Sequence, residues 1–259
     1  MSRRSIHGIG RVLVPEAARR AARALQLTSN PRSARSYMAL TSSSPPAGRV
    51  TLKIRGLEGG SITVRPGTSD IHVVRDTFLA GYHLPPRDLG EDLRLIWDLG
   101  ANIGTTMAQM ACLYPRARIV GVELDAYNAA LCRLNVEPWR DRCEVIEAAV
   151  WPQPGEVEYL CERGDEWSAE AWEGGGRFAR ALPPNELPGA PDFVKMDIEG
   201  AEARVLRENS EWLERVRSIK VEVHGRYSVS DCIADLEPKG FSALPDEKHP
   251  QGVVARRVQ

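Results

Sequence analysis

Cysteine is scarce in this chain and unpaired. The five thiols, at 112, 132, 143, 161 and 232, are odd in number and none forms a C-x-x-C pair. That argues against a disulfide framework or a cysteine zinc site and suits reduced thiols in a cytoplasmic protein. No apolar run approaches the roughly 18 residues of a membrane-spanning helix. An excess of one charge is also missing: 34 Lys and Arg against 35 Asp and Glu leave a net charge of -1. Nothing global therefore draws the chain to nucleic acid or to an anionic membrane. No internal repeat is evident. What is present is ordinary globular composition, 42% apolar and 27% charged over 259 residues, enough for one large domain or two small ones.

The balance hides an asymmetry. Residues 1–48 hold eight Arg and a single acid, Glu16, while the remainder is net acidic. The pattern predicts a basic, flexible N-terminal tail over 1–48, with one short Arg-rich helix from Pro15 to Leu27. An organelle transit peptide and a contact with a partner or lipid are alternative uses of the same composition. A secretory signal is poorly supported, because no apolar stretch follows Arg3 and Arg4.

Residues 49–92 read as a hairpin followed by a helix. Apolar and polar residues alternate on both sides of Glu58-Gly59-Gly60, and Asp70 is placed to cap a helix carrying Ile71, Val74, Phe78 and Leu79 on one face. From 93 to 259 short apolar runs alternate with helix-length patterns: LRLIWDLG, TTMAQMACLY, RIVGVEL, AYNAALCRLNV, CEVIEAAVW, DFVKMDIEG, SIKVEVH and VSDCIADLEPKG. FSAL and GVVARRV can close the chain as an antiparallel pair. The alternation predicts an α/β fold with a doubly wound, mostly parallel sheet.

The most informative stretch is Ile96 to Thr105, IWDLGANIGT. A buried strand ends at Asp98 and a glycine turn opens a helix, and open parallel sheets bind ligands at the carboxyl ends of their strands. The spacing G-x-x-x-G is neither the dinucleotide fingerprint nor a phosphate loop, and no Lys stands ready for phosphate. An acid directly before the turn favours a cationic or amine-bearing ligand, which fits S-adenosylmethionine better than NAD or ATP. Glu123 ends the next strand, where an acid can accept from both ribose hydroxyls. Its alternative role, shared with Asp125, is to cap the following helix. At the end of the third strand Glu147, Ala148 and Ala149 are placed to meet an adenine edge through the backbone.

With VKMDIEGAE at 194–202 a resemblance becomes specific. WDLGANIG (97–104), GVELDAYNAALCRLNV (121–136), FVKMDIEGAE (193–202) and KVEVH (220–224) together resemble the FkbM family of S-adenosylmethionine-dependent methyltransferases, over roughly residues 62–225. The resemblance implies a seven-stranded Rossmann-like (class I) methyltransferase sheet with a small N-terminal hairpin and helix extension. It also implies methyl transfer to a hydroxyl of a small secondary metabolite or sugar. By that resemblance Asp98, Gly100, Asn102 and Gly104 flank the methionine part of the cofactor and Glu123 holds the ribose. Ala101, Thr105, Leu124, Ala148, Ala149 and Asp197 complete the expected binding set.

A hydroxyl acceptor must lose its proton, so a base is needed. Asp197, Glu199, Glu222 and His224 are the candidates. Strand alternation puts Glu222 and His224 on one face, with His224 as the base and Glu222 holding its tautomer. Asp197, Glu199 and His224 also suit a divalent metal, although no metal belongs to the expected cofactor set. The bland alternative makes Glu199 a helix cap and His224 a satisfied core residue. The stretch 162–191, with Trp167, Trp172 and Phe178 around three glycines, is either a cover for the acceptor or packing at the sheet edge. The expected partner is a small hydroxylated molecule, with no nucleic acid and no membrane; a homodimer is compatible. Two rival functions stay open: a protein or nucleic-acid methyltransferase using the basic tail, and a non-catalytic binding module.

Overall fold

The computed structural model describes residues 15–160, 170–171 and 176–258. Two helices come first, α1 (Glu16–Leu27) and α2 (Pro31–Leu40). The Asn30 side chain caps α2 by accepting from the Ser33 N–H at 2.8 Å, with Pro31 in the first turn. The expected flexible tail is therefore corrected for residues 15–48. Ala24, Leu27, Tyr37 and Leu40 are buried in one cluster with Leu52, Ile54, Ile62, Val64, Ile71 and Val74. The arginines had masked a narrow apolar stripe, and burial of that stripe is what holds two helices too short to persist alone.

The hairpin forms as expected. β1 (Val50–Leu52) pairs antiparallel with β2 (Ile62–Val64), Val50 opposite Val64. Next, α3 (Asp70–Arg75) runs into a π-helical turn, Asp76–Ala80. Two details differ from expectation. Asp70 does not cap α3: its buried carboxylate takes the Arg65 guanidinium at 2.7 Å and the Arg65 N–H at 2.7 Å. The π-turn shifts the helical phase, so that Thr77 is buried while Leu79 is 41% exposed.

The rest of the chain supplies the remaining elements. They are β3 (Leu95–Leu99), α4 (Thr105–Leu113), β4 (Arg118–Glu123), α5 (Ala126–Val136), β5 (Cys143–Glu147), β6 (Ala149–Val150), β7 (Gly155–Leu160), β8 (Glu170–Ala171) and β9 (Arg177–Leu182). After them come β10 (Phe193–Met196), α6 (Glu202–Arg207), β11 (Ser218–Glu222), α7 (Val229–Leu236), β12 (Phe241–Pro245) and β13 (Gly252–Arg257). Seven strands form the main sheet in the order β12-β13-β11-β10-β3-β4-β5. Pairings from β11 to β5 are all parallel, and β13 is antiparallel to both its neighbours. This is the α/β, mostly parallel seven-stranded architecture the sequence implied. The run expected as one strand, CEVIEAAVW, divides. β5 joins the main sheet, the Ala148 N–H donates to the Glu123 carbonyl, and β6 enters a second sheet of order β6-β9-β7-β8.

The strand order places the site. From β3 the chain winds outward through β4 and β5, then returns to β10 on the other side of β3. Between β3 and β10 the order reverses, and the crevice at the carboxyl ends there is where such sheets bind ligands. Of the expected cover, Trp167 and Trp172 lie outside the described residues, and Phe178 stands 66% exposed on β9. Among the described residues no helix is long and apolar enough to cross a membrane.

Candidate active site

A cleft of about 290 Å³ opens at this reversal. Its floor is the turn after β3. Gly100 has φ +84°, and a Cβ there would lie 1.7 Å from the Asp197 carbonyl oxygen. Only glycine lets the β3 turn pass so close to the end of β10. Asn102 follows at φ 49°, a conformation Asn tolerates.

Beneath the turn, Asp98 is completely buried. Across the parallel register it faces Lys195 of β10, whose Nζ lies 3.2 Å from Asp98 Oδ1 and 3.3 Å from Asp197 Oδ2. The same ammonium donates to the Gly100 carbonyl at 2.6 Å. Neither Asp98 oxygen has an aligned hydrogen bond, so the Lys195 contact is ionic and the carboxylate keeps unused acceptor capacity. Burial raises the Asp98 pKa against the pull of Lys195. For Lys195 burial works against the charge, but Asp98 and Asp197 outweigh it and hold the ammonium protonated.

Glu123 stands across the turn at the end of β4. Its Oε2 accepts the Asn102 N–H at 2.7 Å and its Oε1 the Asp125 N–H at 2.9 Å. Burial raises its pKa to about 7. Asp125 is the helix cap, accepting from the N–H groups of Tyr127 and Asn128. The two acids thus divide the roles that sequence left open between them: Asp125 starts α5 and Glu123 faces the cleft.

Gly100, Ala101, Asn102, Thr105, Glu123, Leu124, Ala148, Ala149 and Asp197 line the cleft, as do Glu199 and Glu222. Three expected residues do not. Asp98 acts from under the floor. Gly104, at φ +81°, would drive a Cβ to 2.7 Å from Cys132 Sγ, so its bareness serves the packing of α4 on α5. His224 lies behind the acids. Its Nδ1 is 2.9 Å from Glu202 Oε1, and its Nε2 sits 3.5 Å from Glu199, 3.7 Å from Asp197 and 3.8 Å from Glu222. Burial opposes its charge, but the hydrogen bond to Glu202 and the surrounding carboxylates prevail and raise it to about 9. That shift favours the imidazolium at neutral pH, and the ring is not part of the cleft wall, both of which count against His224 as the base. Glu222 approaches it as an ion-pair partner among several, and the Nδ1 contact belongs to Glu202. That fully buried residue also accepts from the Ile198 and Gly200 N–H groups and so shapes the turn after β10.

Asp197, Glu199 and His224 bring one ligand atom each within 4.8 Å of the others, a spacing a divalent ion can use. Burial and like charge push Glu199 up to about 8 and also raise Glu222.

Among the wall residues that sequence reasoning missed are Lys195, Asp76, Thr77, Tyr82 and His249. A lysine inside an otherwise apolar strand, FVKM, was a readable anomaly. Thr77 reaches the cleft through the π-turn, its hydroxyl 2.9 Å from that of Thr105. No local pattern marks Tyr82 or His249, which arrive from the segment before β3 and from the turn before β13.

Residues 98–241 match the Methyltransferase FkbM domain. The chain belongs to the FkbM methyltransferase family. It is 26% identical over 155 residues to the 2-O-methyltransferase NoeI of Sinorhizobium fredii, an alignment covering 49% of this chain and 62% of that protein. The chain therefore spans less than two thirds of that relative's length. Solved structures with a similar chain path include a precorrin-6y C5,15-methyltransferase from Geobacter metallireducens (TM-score 0.44, 16% identity, 68% of this chain and 84% of that one). Another is an O-methyltransferase family protein from Burkholderia thailandensis (TM-score 0.47, 11% identity, 74% and 58%).

S-adenosylmethionine is the cofactor an FkbM domain implies, and the residues present fit it. The Gly100 turn makes a cradle that a Cβ would fill, and Asp98 beneath it is a buried acid with unused acceptors. Glu123 stands one strand away, and Leu124, Ala148, Ala149 and Val150 provide apolar wall. Acidic side chains outnumber basic ones around the cleft even with Glu199 held protonated by burial: Asp76, Glu123, Asp197 and Glu222 against Lys195 and the imidazoles of His83 and His249. That field suits a positively charged ligand.

Proposed function

We propose that this FkbM protein is an S-adenosylmethionine-dependent O-methyltransferase acting on a hydroxyl of a small metabolite or sugar. The observation that carries the reading is the juxtaposition of the Gly100 turn, over buried Asp98, with Glu123 at the end of the adjacent strand. When bound, the cofactor supplies an electrophilic methyl group on a sulfonium. Glu123 would accept from the ribose hydroxyls, and Leu124 with Ala148 and Ala149 would bracket the adenine. The turn, with Asp98 and Lys195 beneath it, would hold the amino-acid end.

The acidic wall favours a neutral hydroxyl acceptor over a phosphate-bearing one, because like charges repel across a half-buried cleft. That weighs against a nucleic-acid substrate. The 2-O-methyltransferase name of the NoeI relative supports an oxygen as the methyl acceptor. His224 would act as an internal cation beside Asp197 and Glu222, with Glu199 held protonated next to them.

Calorimetry with S-adenosylhomocysteine tests the binding half of the reading. The expected result is a single site in the wild type and at least about tenfold weaker binding in Glu123→Ala, one hydrogen-bonded charge being worth roughly that much. A screen of hydroxylated acceptors, methyl glycosides included, with labelled cofactor tests the transfer. No binding by the wild type, or unchanged affinity in Glu123→Ala, would overturn the reading.

A further inference from the structure

His224 lies behind the acids and outside the cleft wall, so the proton of a hydroxyl acceptor needs a destination nearer the cleft. We propose that His249 is the catalytic base of the methyl transfer, an assignment that rests on the O-methyltransferase reading above.

His249 borders the cleft from the turn between β12 and β13. The turn is a built one. The His249 N–H donates to the Asp246 carbonyl at 3.2 Å, the Lys248 N–H to Asp246 Oδ1 at 3.0 Å, and the Gly252 N–H back to the His249 carbonyl at 2.9 Å. The ring is fixed as well. It stacks on Tyr82 with centroids 4.4 Å apart and 26° between planes. Tyr82 in turn is pinned by its carbonyl, which accepts from Lys220 Nζ at 2.5 Å, and Lys220 pairs with Asp246 at 2.7 Å. The imidazole is thus clamped between the segment before β3 and the last hairpin, at the mouth of the strand-order reversal.

Its two nitrogens differ. Nδ1 is buried without a hydrogen-bond partner among the described residues. Nε2 lies 3.6 Å from Glu222 Oε1, beyond hydrogen-bond distance, so in the tautomer with the proton on Nδ1 its lone pair is open to a substrate hydroxyl. A neutral ring with its lone pair on Nε2 can take a proton there, and the imidazolium that forms sits beside the Glu222 carboxylate. A base steadied by a carboxylate is the recurring logic of such sites. In the step itself the acceptor O–H proton passes to Nε2 and the acceptor oxygen forms the new C–O bond. The S–CH3 bond of the sulfonium breaks, its electron pair remaining on sulfur to leave a neutral thioether.

The surroundings keep the ring neutral at rest. Burial lowers the His249 pKa, and the cation of His224 lowers it further, against the opposing pull of Asp197, Asp246 and Asp76. Lys195 and Lys220 face the same space from β10 and β11, with Glu222 beside Nε2.

The chain has five histidines, so the imidazole signals of the full-length protein can be assigned by NMR with His249→Gln and His224→Gln. The probes are S-adenosylhomocysteine and sinefungin, which carries an amine where the transferable methyl would sit. His249 is expected to be neutral at pH 7. Its pKa should fall by about half a unit or more in the sinefungin complex relative to the homocysteine complex, because the added ammonium repels imidazolium at short range. His249→Gln should bind S-adenosylhomocysteine within about threefold of wild type, which also reports its folding. On any methyl glycoside that the acceptor screen returns, it should transfer methyl about 100-fold or more slowly. A His249 already protonated at pH 7, or one whose pKa is the same in both complexes, overturns the assignment while leaving the cofactor site intact. Failure of the wild type to bind either probe overturns the methyltransferase reading and this assignment with it.

Discussion

Gly100 is where the account is most exposed to a single substitution. A Cβ at this position would sit 1.7 Å from the Asp197 carbonyl oxygen and 2.8 Å from its carbon. Both are backbone atoms, so the end of β10 must retreat by more than about 1 Å, an overpacking cost of roughly 1–3 kcal/mol. The φ of +84° adds strain of about 1–2 kcal/mol for any L side chain. Gly100→Ala should therefore lose about 3 kcal/mol, a fall in Tm of roughly 6–12 °C for a chain of this size. The displacement also moves Asp197 and the carbonyl that receives Lys195, so affinity for S-adenosylhomocysteine should drop by at least about tenfold. Gly67→Ala is the control: it shares a positive φ, +77°, but its Cβ would meet nothing within 4 Å. It should cost only about 1 kcal/mol, the conformational term alone, and leave binding untouched. The measurement is paired differential scanning calorimetry and ligand titration. Equal Tm values for the two variants, with equal affinities, would show that the close approach of β3 and β10 is not real.

Two further outcomes follow from buried groups. Glu199, raised to about 8 mainly by burial and then by Asp197, carries a cost that is absent at low pH. The folded carboxyl keeps its proton while the unfolded one loses it, so this cost grows as pH rises from about 4.5 to about 8. Glu199→Gln should gain about 2 kcal/mol at pH 8.5 after allowance for its partial exposure, and almost nothing near pH 5; a pH-independent difference in Tm would contradict that cause. Leu27, 1% exposed on α1, should cost about 3 kcal/mol when cut to Ala, some 6–12 °C in Tm. A Tm within a degree of wild type would mean that α1 does not pack on the domain.

The main sheet was legible because its evidence is local. Apolar runs such as RIVGVEL and FVKM can only be strands buried on both faces, and the helices between them force parallel pairing. The glycine turn and Glu123 were legible for a similar reason, since position at a strand end determines what a residue can face. Asp125 and Glu123 were separable only in three dimensions, because both stand before the same helix. The first N-terminal helix was legible, but the second, and the packing of both on the domain, were missed because composition averages over faces: eight arginines outweighed four buried side chains. The crowding of acids around His224 was not legible, because a pattern of alternating strand residues shows which side an imidazole takes but not how many carboxylates surround it. Tyr82 and His249 reach the site from distant segments, and nothing in their own neighbourhoods announces that they meet.

The central claim is that the crevice between β3 and β10 holds S-adenosylmethionine, gripped by carboxylates of neighbouring strands. A crystal structure of the complex with S-adenosylhomocysteine measures this most directly. The account predicts the ribose hydroxyls within hydrogen-bond distance of Glu123 and the amino-acid end over the Gly100 turn. Ligand density elsewhere on the molecule, or a ribose turned away from Glu123, would contradict it.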